Sequence, residues 1–288
     1  MKQLNLFLQI TRLGRPIGYL LLFWPCLWGL TLAYNSNFPI KIYIFNCVLF
    51  FLGSIFMRSA GCIVNDISDK NFDKKVERTK NRPIASGKMS TTIAVSYAIL
   101  LCALALIVLI NFNNLTIFLA IASMPLAFTY PLMKRLTYWP QLFLGITFNY
   151  GLILGWTSIN EAINLQAIVL YFAAIFWTLG YDTIYGYQDI NDDEIIGVKS
   201  TSIKFKKNPK KFLFLCYSIF STLLISTGLI MKFEFLFYFS LIVTFGHLFL
   251  FQIRNLNISD PTNCLRIFKS NNIIGLLVFF NLLIGKLF

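Results

Sequence analysis

The sequence predicts an all-α membrane protein, a bundle of nine transmembrane helices. Three observations carry this expectation. Of the 288 residues, 57% are hydrophobic and only 13% are charged, with a mean hydropathy of +0.68. A soluble domain of that size needs far more polar surface. Apolar runs long enough to cross a bilayer recur along the whole chain. Basic residues crowd into every second connection between those runs. Helices are required because backbone polar groups in lipid need partners within their own segment. The short alternating segments of barrel strands do not occur.

In order, the expected crossings are 17–34, 42–66, 91–111, 115–130, 140–157, 165–185, 211–230, 233–251 and 270–287. Residues 1–15 are polar and mildly amphipathic. The first apolar run is span-length and has no small-residue cleavage site behind it, so it is expected to remain in the mature protein. No large soluble domain is left over. The chain reads as one polytopic domain, 1–288, with the loops that carry its candidate site residues near 67–90, 131–139 and 186–210.

Charge gives the orientation independently. Of the 25 Lys and Arg, all but Lys41, Lys232, Lys286 and the intramembrane Arg58 fall in the amino-terminal segment and the even-numbered loops. That asymmetry puts the amino terminus and the large loops in the cytoplasm. It suits a bacterial inner membrane, or the mitochondrial inner membrane if the source is a eukaryote. The net charge of +13 is then mainly topogenic and lipid-directed, with an anionic substrate as the second reading. Nucleic acid is not an expected partner, since no recognition module is visible and the basic residues sit in short loops tied to the membrane. Membrane lipid is.

The six cysteines show no metal or redox spacing and read as small core residues. His247 is the single histidine, which argues against a His-ligated zinc or iron site. The acids are more informative. All of the 12 Asp and Glu except Glu161 and Glu234 lie on the basic side or at its edge. Asn65, Asp69 and Asp73, with Asp66 between them, follow the second crossing at helical spacing, so they share a face if the helix continues. Like charges at that spacing repel and call for a cation. Hard oxygen ligands point to magnesium, which takes one or two carboxylates plus phosphate oxygens. The bland alternative is an acidic helix end salted by Lys70, Lys74 and Lys75.

The second cluster runs from Asp182 through Asp189 to Asp193, again along one helical face. Asp182 sits inside or at the edge of the sixth crossing, where a deep charge costs roughly 2.5–3.5 kcal/mol and tends to be functional. Facing each other, the two clusters would form a carboxylate-lined pocket for magnesium and a diphosphate. Cationic partners are at hand. Arg58 lies two helical turns before Asn65, Arg78, Lys80 and Arg82 come after the first cluster, and Tyr130 and Lys134 end the fourth crossing.

These residues resemble the motifs of the UbiA superfamily of intramembrane prenyltransferases. The run from Asn65 to Asp73 matches N-D-x-x-D-x-x-x-D, and Arg78 to Gly87 is similar to R-T-x-N-R-P-x-x-S-G. Asp182 to Tyr185, then Asp189, Asp193 and the stretch Gly197 to Thr201, resemble the second motif. Tyr130 and Lys134 match Y-x-x-x-K, and Arg15, Pro16, Gly18, Trp24 and Pro25 fit the amino-terminal pattern. One departure from the family pattern is Asn191, which stands where the resemblance implies a further acid. The second motif is closest to that of members acting on 4-hydroxybenzoate.

The resemblance implies a polyprenyl diphosphate donor, a 4-hydroxybenzoate acceptor and Mg2+. It implies Asn65, Asp69, Asp73, Asp189 and Asp193 as metal ligands. Arg58, Tyr130 and Lys134 are expected on the diphosphate, Asp66 and Asp182 in the substrate site, and Arg135 on the acceptor carboxylate, which a planar guanidinium suits. A different acceptor, such as haem, a naphthoate or a glycerol phosphate, would leave the aspartate motifs unchanged. A transporter is the rival from another class, but its charges belong near mid-membrane rather than at one face. Orientation is directly testable. A reporter fused after Phe288 and one placed within 67–90 should lie on opposite sides; the same side for both would refute the nine-span topology.

Overall fold

The computed structural model describes residues 2–35 and 37–287, and every regular element in them is helical. A short helix, α1 (Lys2–Thr11), precedes the first crossing, α2 (Ile17–Ala33), and the second, α3 (Ile40–Ser68). One helical turn, α4 (Lys70–Asp73), and a long loop lead to α5 (Thr91–Leu109). The fourth crossing is broken into α6 (Asn114–Ala122), α7 (Met124–Thr129), a 3-10 turn (Tyr130–Leu132) and α8 (Met133–Leu136). Pro125 and Pro131 cause the breaks, since proline withholds a backbone donor and clashes with the preceding turn. Then come α9 (Pro140–Asn160), α10 (Leu165–Gly186), a 3-10 turn (Tyr187–Asp189), α11 (Ile190–Ile196) and α12 (Thr201–Lys204). The last crossings are α13 (Pro209–Met231), α14 (Phe235–Gly246) continued by a π-helical stretch (His247–Ile253), and α15 (Pro261–Leu287).

Eight of these segments are long and apolar enough to cross a bilayer. The ninth expected crossing is the shorter α2, with 17 residues. Large apolar side chains face outward along the bundle, Ile99, Phe118 and Leu250 among them, each more than half exposed. In water that would be a costly surface; against lipid it is the expected one. Starts are set locally. Ser90 caps α5 and Asn113 caps α6 through their side-chain oxygens, while Pro140 and Pro209 open α9 and α13 where no backbone donor is needed.

Lipid offers no hydrophobic drive between helices, so close packing and polar contacts must hold the bundle. The closest approach joins α2 and α9. A Cβ on Gly29 would lie 2.0 Å from the Leu152 carbonyl oxygen, and one on Gly155 would lie 2.2 Å from that of Cys26. Both neighbours are helical backbone and cannot yield. Polar contacts join the far side. Trp177 Nε1 donates to Asn271 Oδ1 at 2.8 Å, Gln252 Nε2 donates to the same oxygen at 3.2 Å, and Tyr217 donates to Gln252 Oε1 at 2.6 Å. The π-helical stretch carries Gln252 into this buried network.

Gly155→Leu should therefore force α2 and α9 apart. Overpacking typically costs about 1–3 kcal/mol and backbone clashes more, so the thermal midpoint in detergent should fall sharply. Gly246→Ala, where a Cβ would meet nothing within 4 Å, should leave the midpoint unchanged or slightly higher. Equal midpoints for the two variants would overturn this account of the α2–α9 seam.

Candidate active site

The two acidic motifs meet at the basic end of the bundle. The first straddles the end of α3. Asp69 leaves the helical region, at φ −96° and ψ 3°, yet helical bonding continues through it. Asp69 N donates to Asn65 O at 2.9 Å and Asp73 N to Asp69 O at 2.8 Å. The expected spacing of Asn65, Asp69 and Asp73 is thus kept in the hydrogen bonding. The second motif departs from expectation. A 3-10 turn at Tyr187–Asp189 interrupts the helix between Asp182 and Asp193, so no continuous α-helical face carries all three aspartates. The turn has three residues per revolution and shifts the phase of α11 relative to α10.

Neutral hydrogen bonds pin the second motif. Thr183 and Thr201 share a hydroxyl contact of 2.6 Å, Ser202 Oγ donates to Thr183 O at 2.8 Å, and Thr201 N donates to Gln141 Oε1 at 2.9 Å. A Cβ at Gly186 would lie 2.3 Å from Ser202 Oγ, so a glycine is needed where the returning chain crosses α10. Lys199 N donates to Lys134 O at 2.9 Å and ties this stretch to α8.

Charges join the motifs. Arg78, from the loop after the first motif, grips Asp189 of the second with two nitrogens, Nε at 2.7 Å, and reaches Tyr185 at 3.2 Å. Glu77 N donates to Asp192 Oδ2 at 3.2 Å alongside it. Lys134 turns inward and pairs with Asp69. Arg82 Nη1 reaches both Asp73 oxygens at 3.0 and 2.8 Å and Asp66 at 3.1 Å. Burial pushes the Asp69 carboxyl above its ordinary range, and Lys134 draws it part of the way back. Lys80, expected among the phosphate-facing cations, pairs instead with Glu77 on the surface.

Several oxygens stay free. Asp69 Oδ1 is buried without a partner. The side chains of Asn65, Asp182 and Asp193 make no hydrogen bond among the described residues. Arg58 Nε is also buried without a partner, and its guanidinium stacks 5.2 Å from the Phe148 ring. A Cβ on Gly18 would come within 2.9 Å of that nitrogen, which gives the glycine of the amino-terminal pattern its role. Tyr130 opens the 3-10 turn at the basic end of the fourth crossing and Asp182 lies near the basic end of α10, so both stand at the end of the bundle where the site is expected. The exception is Arg135. It donates to Ser68 O at 2.8 Å and lies over the Phe72 ring, while its neighbour Lys134 faces the aspartates. Among the described residues no three Asp, Glu, His or Cys side chains gather closely enough to hold an ion alone. The aspartates are spread along the seam, most of them holding a cation.

The sequence pattern did not reveal Arg12, which pairs with Asp66 from the end of α1. Its only signal was a basic residue in a basic segment. Nor did it reveal that Arg78 serves the opposite motif.

The fold and site define an all-helical membrane bundle with two opposed aspartate motifs, ringed by cations at one end. The chain belongs to the UbiA prenyltransferase family, whose sequence model matches residues 22–283. It is 42% identical over 282 residues to the mitochondrial 4-hydroxybenzoate polyprenyltransferase of Drosophila pseudoobscura pseudoobscura, covering 98% of this chain and 70% of that protein. In fold it is similar to a UbiA homolog from Aeropyrum pernix K1, with a TM-score of 0.75 at 22% identity, covering 92% of this chain and 96% of that one. A UbiA homolog from Archaeoglobus fulgidus, solved bound to GPP and Mg2+, aligns at a TM-score of 0.71 and 17% identity, covering 98% of this chain and all, 100%, of that one.

Proposed function

We propose that the chain transfers a polyprenyl group from a polyprenyl diphosphate to the ring of 4-hydroxybenzoate, ortho to the hydroxyl, in an early membrane step of ubiquinone biosynthesis. The observation that carries this reading is the pair of opposed aspartate motifs, latched by Arg78 and Asp189 at one end of a UbiA-type bundle. A relative named for this reaction matches nearly the whole chain. That relative is mitochondrial, which supports the mitochondrial inner membrane; a bacterial inner membrane draws no support from it.

The donor set fits Mg2+. The free oxygens are carboxylate and amide, the ligands that magnesium prefers, and Asp69 Oδ1 is buried with nothing to accept from. Asn65, Asp69 and Asp73 from one motif, with Asp189 and Asp193 from the other, would hold the ions. When bound, magnesium stabilises the charge that builds on the diphosphate as the allylic C–O bond ionises. The chain's own cations act on the same charge. Arg58, with an unspent buried donor, would bind diphosphate oxygens together with Tyr130 and Lys134. Asp182, near the end of α10, belongs to the substrate site, and Asp66 orders the first motif. The apolar walls exclude the water that would otherwise capture the allylic cation. Arg135 is assigned to the acceptor carboxylate. Its bond to Ser68 O is a single contact that a carboxylate can replace with two parallel ones.

Chelation with EDTA should abolish turnover of 4-hydroxybenzoate with a polyprenyl diphosphate, and added magnesium should restore it. Full activity in EDTA would sink the metal assignment.

The acceptor and donor roles separate by kinetics. Asp69→Ala or Asp189→Ala should collapse turnover with every acceptor. Arg135→Ala should raise the KM for 4-hydroxybenzoate by about ten- to a hundred-fold, the worth of one charged hydrogen-bond partner. The KM for the prenyl diphosphate should hardly change. A rise confined to the diphosphate would place Arg135 in the donor site instead.

A further inference from the structure

Arg12 ends α1 in a backbone conformation that side chains avoid, with φ at +56°. Glycine adopts it freely; an arginine does not. The turn it makes is ordinary, closed by Arg15 N donating to Arg12 O at 2.9 Å. Turn geometry alone would therefore favour glycine, and what the arginine adds is its guanidinium. That group pairs with Asp66, whose side chain is only 2% exposed. The same Asp66 oxygen accepts from Arg82 Nη1 at 3.1 Å, and the same Arg82 nitrogen reaches the Asp73 oxygens at 3.0 and 2.8 Å. One chain of charge-assisted hydrogen bonds thus runs from the end of α1 through Asp66 and Arg82 to Asp73.

The anchor of that chain is firm. Leu6 and Ile10 of α1 pack with Ala60 and Ile63 of α3, Met89 of the loop before α5 and Ala94 of α5. Asp69, between Asp66 and Asp73 in sequence, keeps a free buried oxygen. Asp66 is the acid of this motif that takes two guanidinium groups, Arg12 and Arg82, on the one oxygen Oδ1, which suits holding its neighbours.

We propose that Arg12 is a positioning residue, which fixes Asp66 and, through Arg82, sets the placement of the first motif's metal-binding side chains. This role rests on the proposed binding of metal by the aspartate motifs. Partners one shell out from metal ligands typically change metal affinity by roughly 10–100-fold when removed. The probe is Mn2+ in place of magnesium, titrated by electron paramagnetic resonance into purified protein in detergent, with the thermal midpoint measured in parallel. Arg12→Gly removes the guanidinium and relieves the backbone. It should weaken Mn2+ binding by roughly ten-fold or more while the metal-free midpoint stays near the unaltered protein's. Arg12→Lys keeps the charge with fewer donors and should fall between the two. It also carries the test if the glycine variant does not fold. Unchanged Mn2+ affinity in a folded Arg12 variant would overturn the proposal, whatever its midpoint. Asp69→Ala guards the underlying reading. If the unaltered protein binds no Mn2+, or binds it as well without Asp69, the metal assignment fails and the positioning role fails with it.

Discussion

Carboxylates at the edge of hydrocarbon cannot be left to water. Asp66, Asp69, Asp73 and Asp189 each have a cation close by, drawn from another segment of the fold. Asp66 is met from the end of α1 and from the loop after α4, Asp69 from α8, and Asp189 from the loop beyond the opposite motif. The basic end of the bundle is assembled by these cross-connections. Buried ion pairs rarely beat apolar residues in stability, because desolvation offsets their attraction. Their presence along one seam is better explained by position. They fix where negative oxygens stand, in a region where packing alone would favour uncharged side chains.

The bundle below supplies what the seam needs. Glycines let α2 and α9 meet backbone to backbone, and Gly18 leaves room at the start of α2 for Arg58 of α3. An arginine inside a membrane segment is costly unless it faces the interior and finds a partner. Here it finds the Phe148 ring, and one of its donors remains free. The ring, the cation and its free donor thus stand together inside the bundle.

Much of this was legible in the sequence, for identifiable reasons. Crossing a membrane depends on summed hydropathy over a long window, so the crossings from 17–34 to 270–287 were readable even where prolines break the helix. The spacing of Asn65, Asp69 and Asp73 survived because one helical bonding pattern runs through them. The second motif's 3-10 turn was not readable, since nothing in its composition forbids a continuous helix. The pairing of Arg78 with Asp189 spans 111 residues and belongs to tertiary structure alone. Lys134 and Arg135 look interchangeable in sequence. On a helical turn, adjacent side chains point about 100° apart, so one faces the aspartates and the other Ser68.

The two motifs are held by different physics. The second grows from α10, the most enclosed of the long crossings, and its returning chain is fastened by hydroxyl, amide and carbonyl contacts among Thr183, Thr201, Ser202 and Gln141. Neutral bonds in a dry interior are short-ranged and indifferent to salt. The first motif ends α3, whose apolar length is mostly open to lipid and which leans on α5, itself thinly covered. Apolar enclosure there cannot fix a loop to a fraction of an ångström. Arg12, Arg82 and Lys134 take over that task. A site built between two halves needs both sides fixed; charge holds the first motif throughout and reaches the second at Asp189.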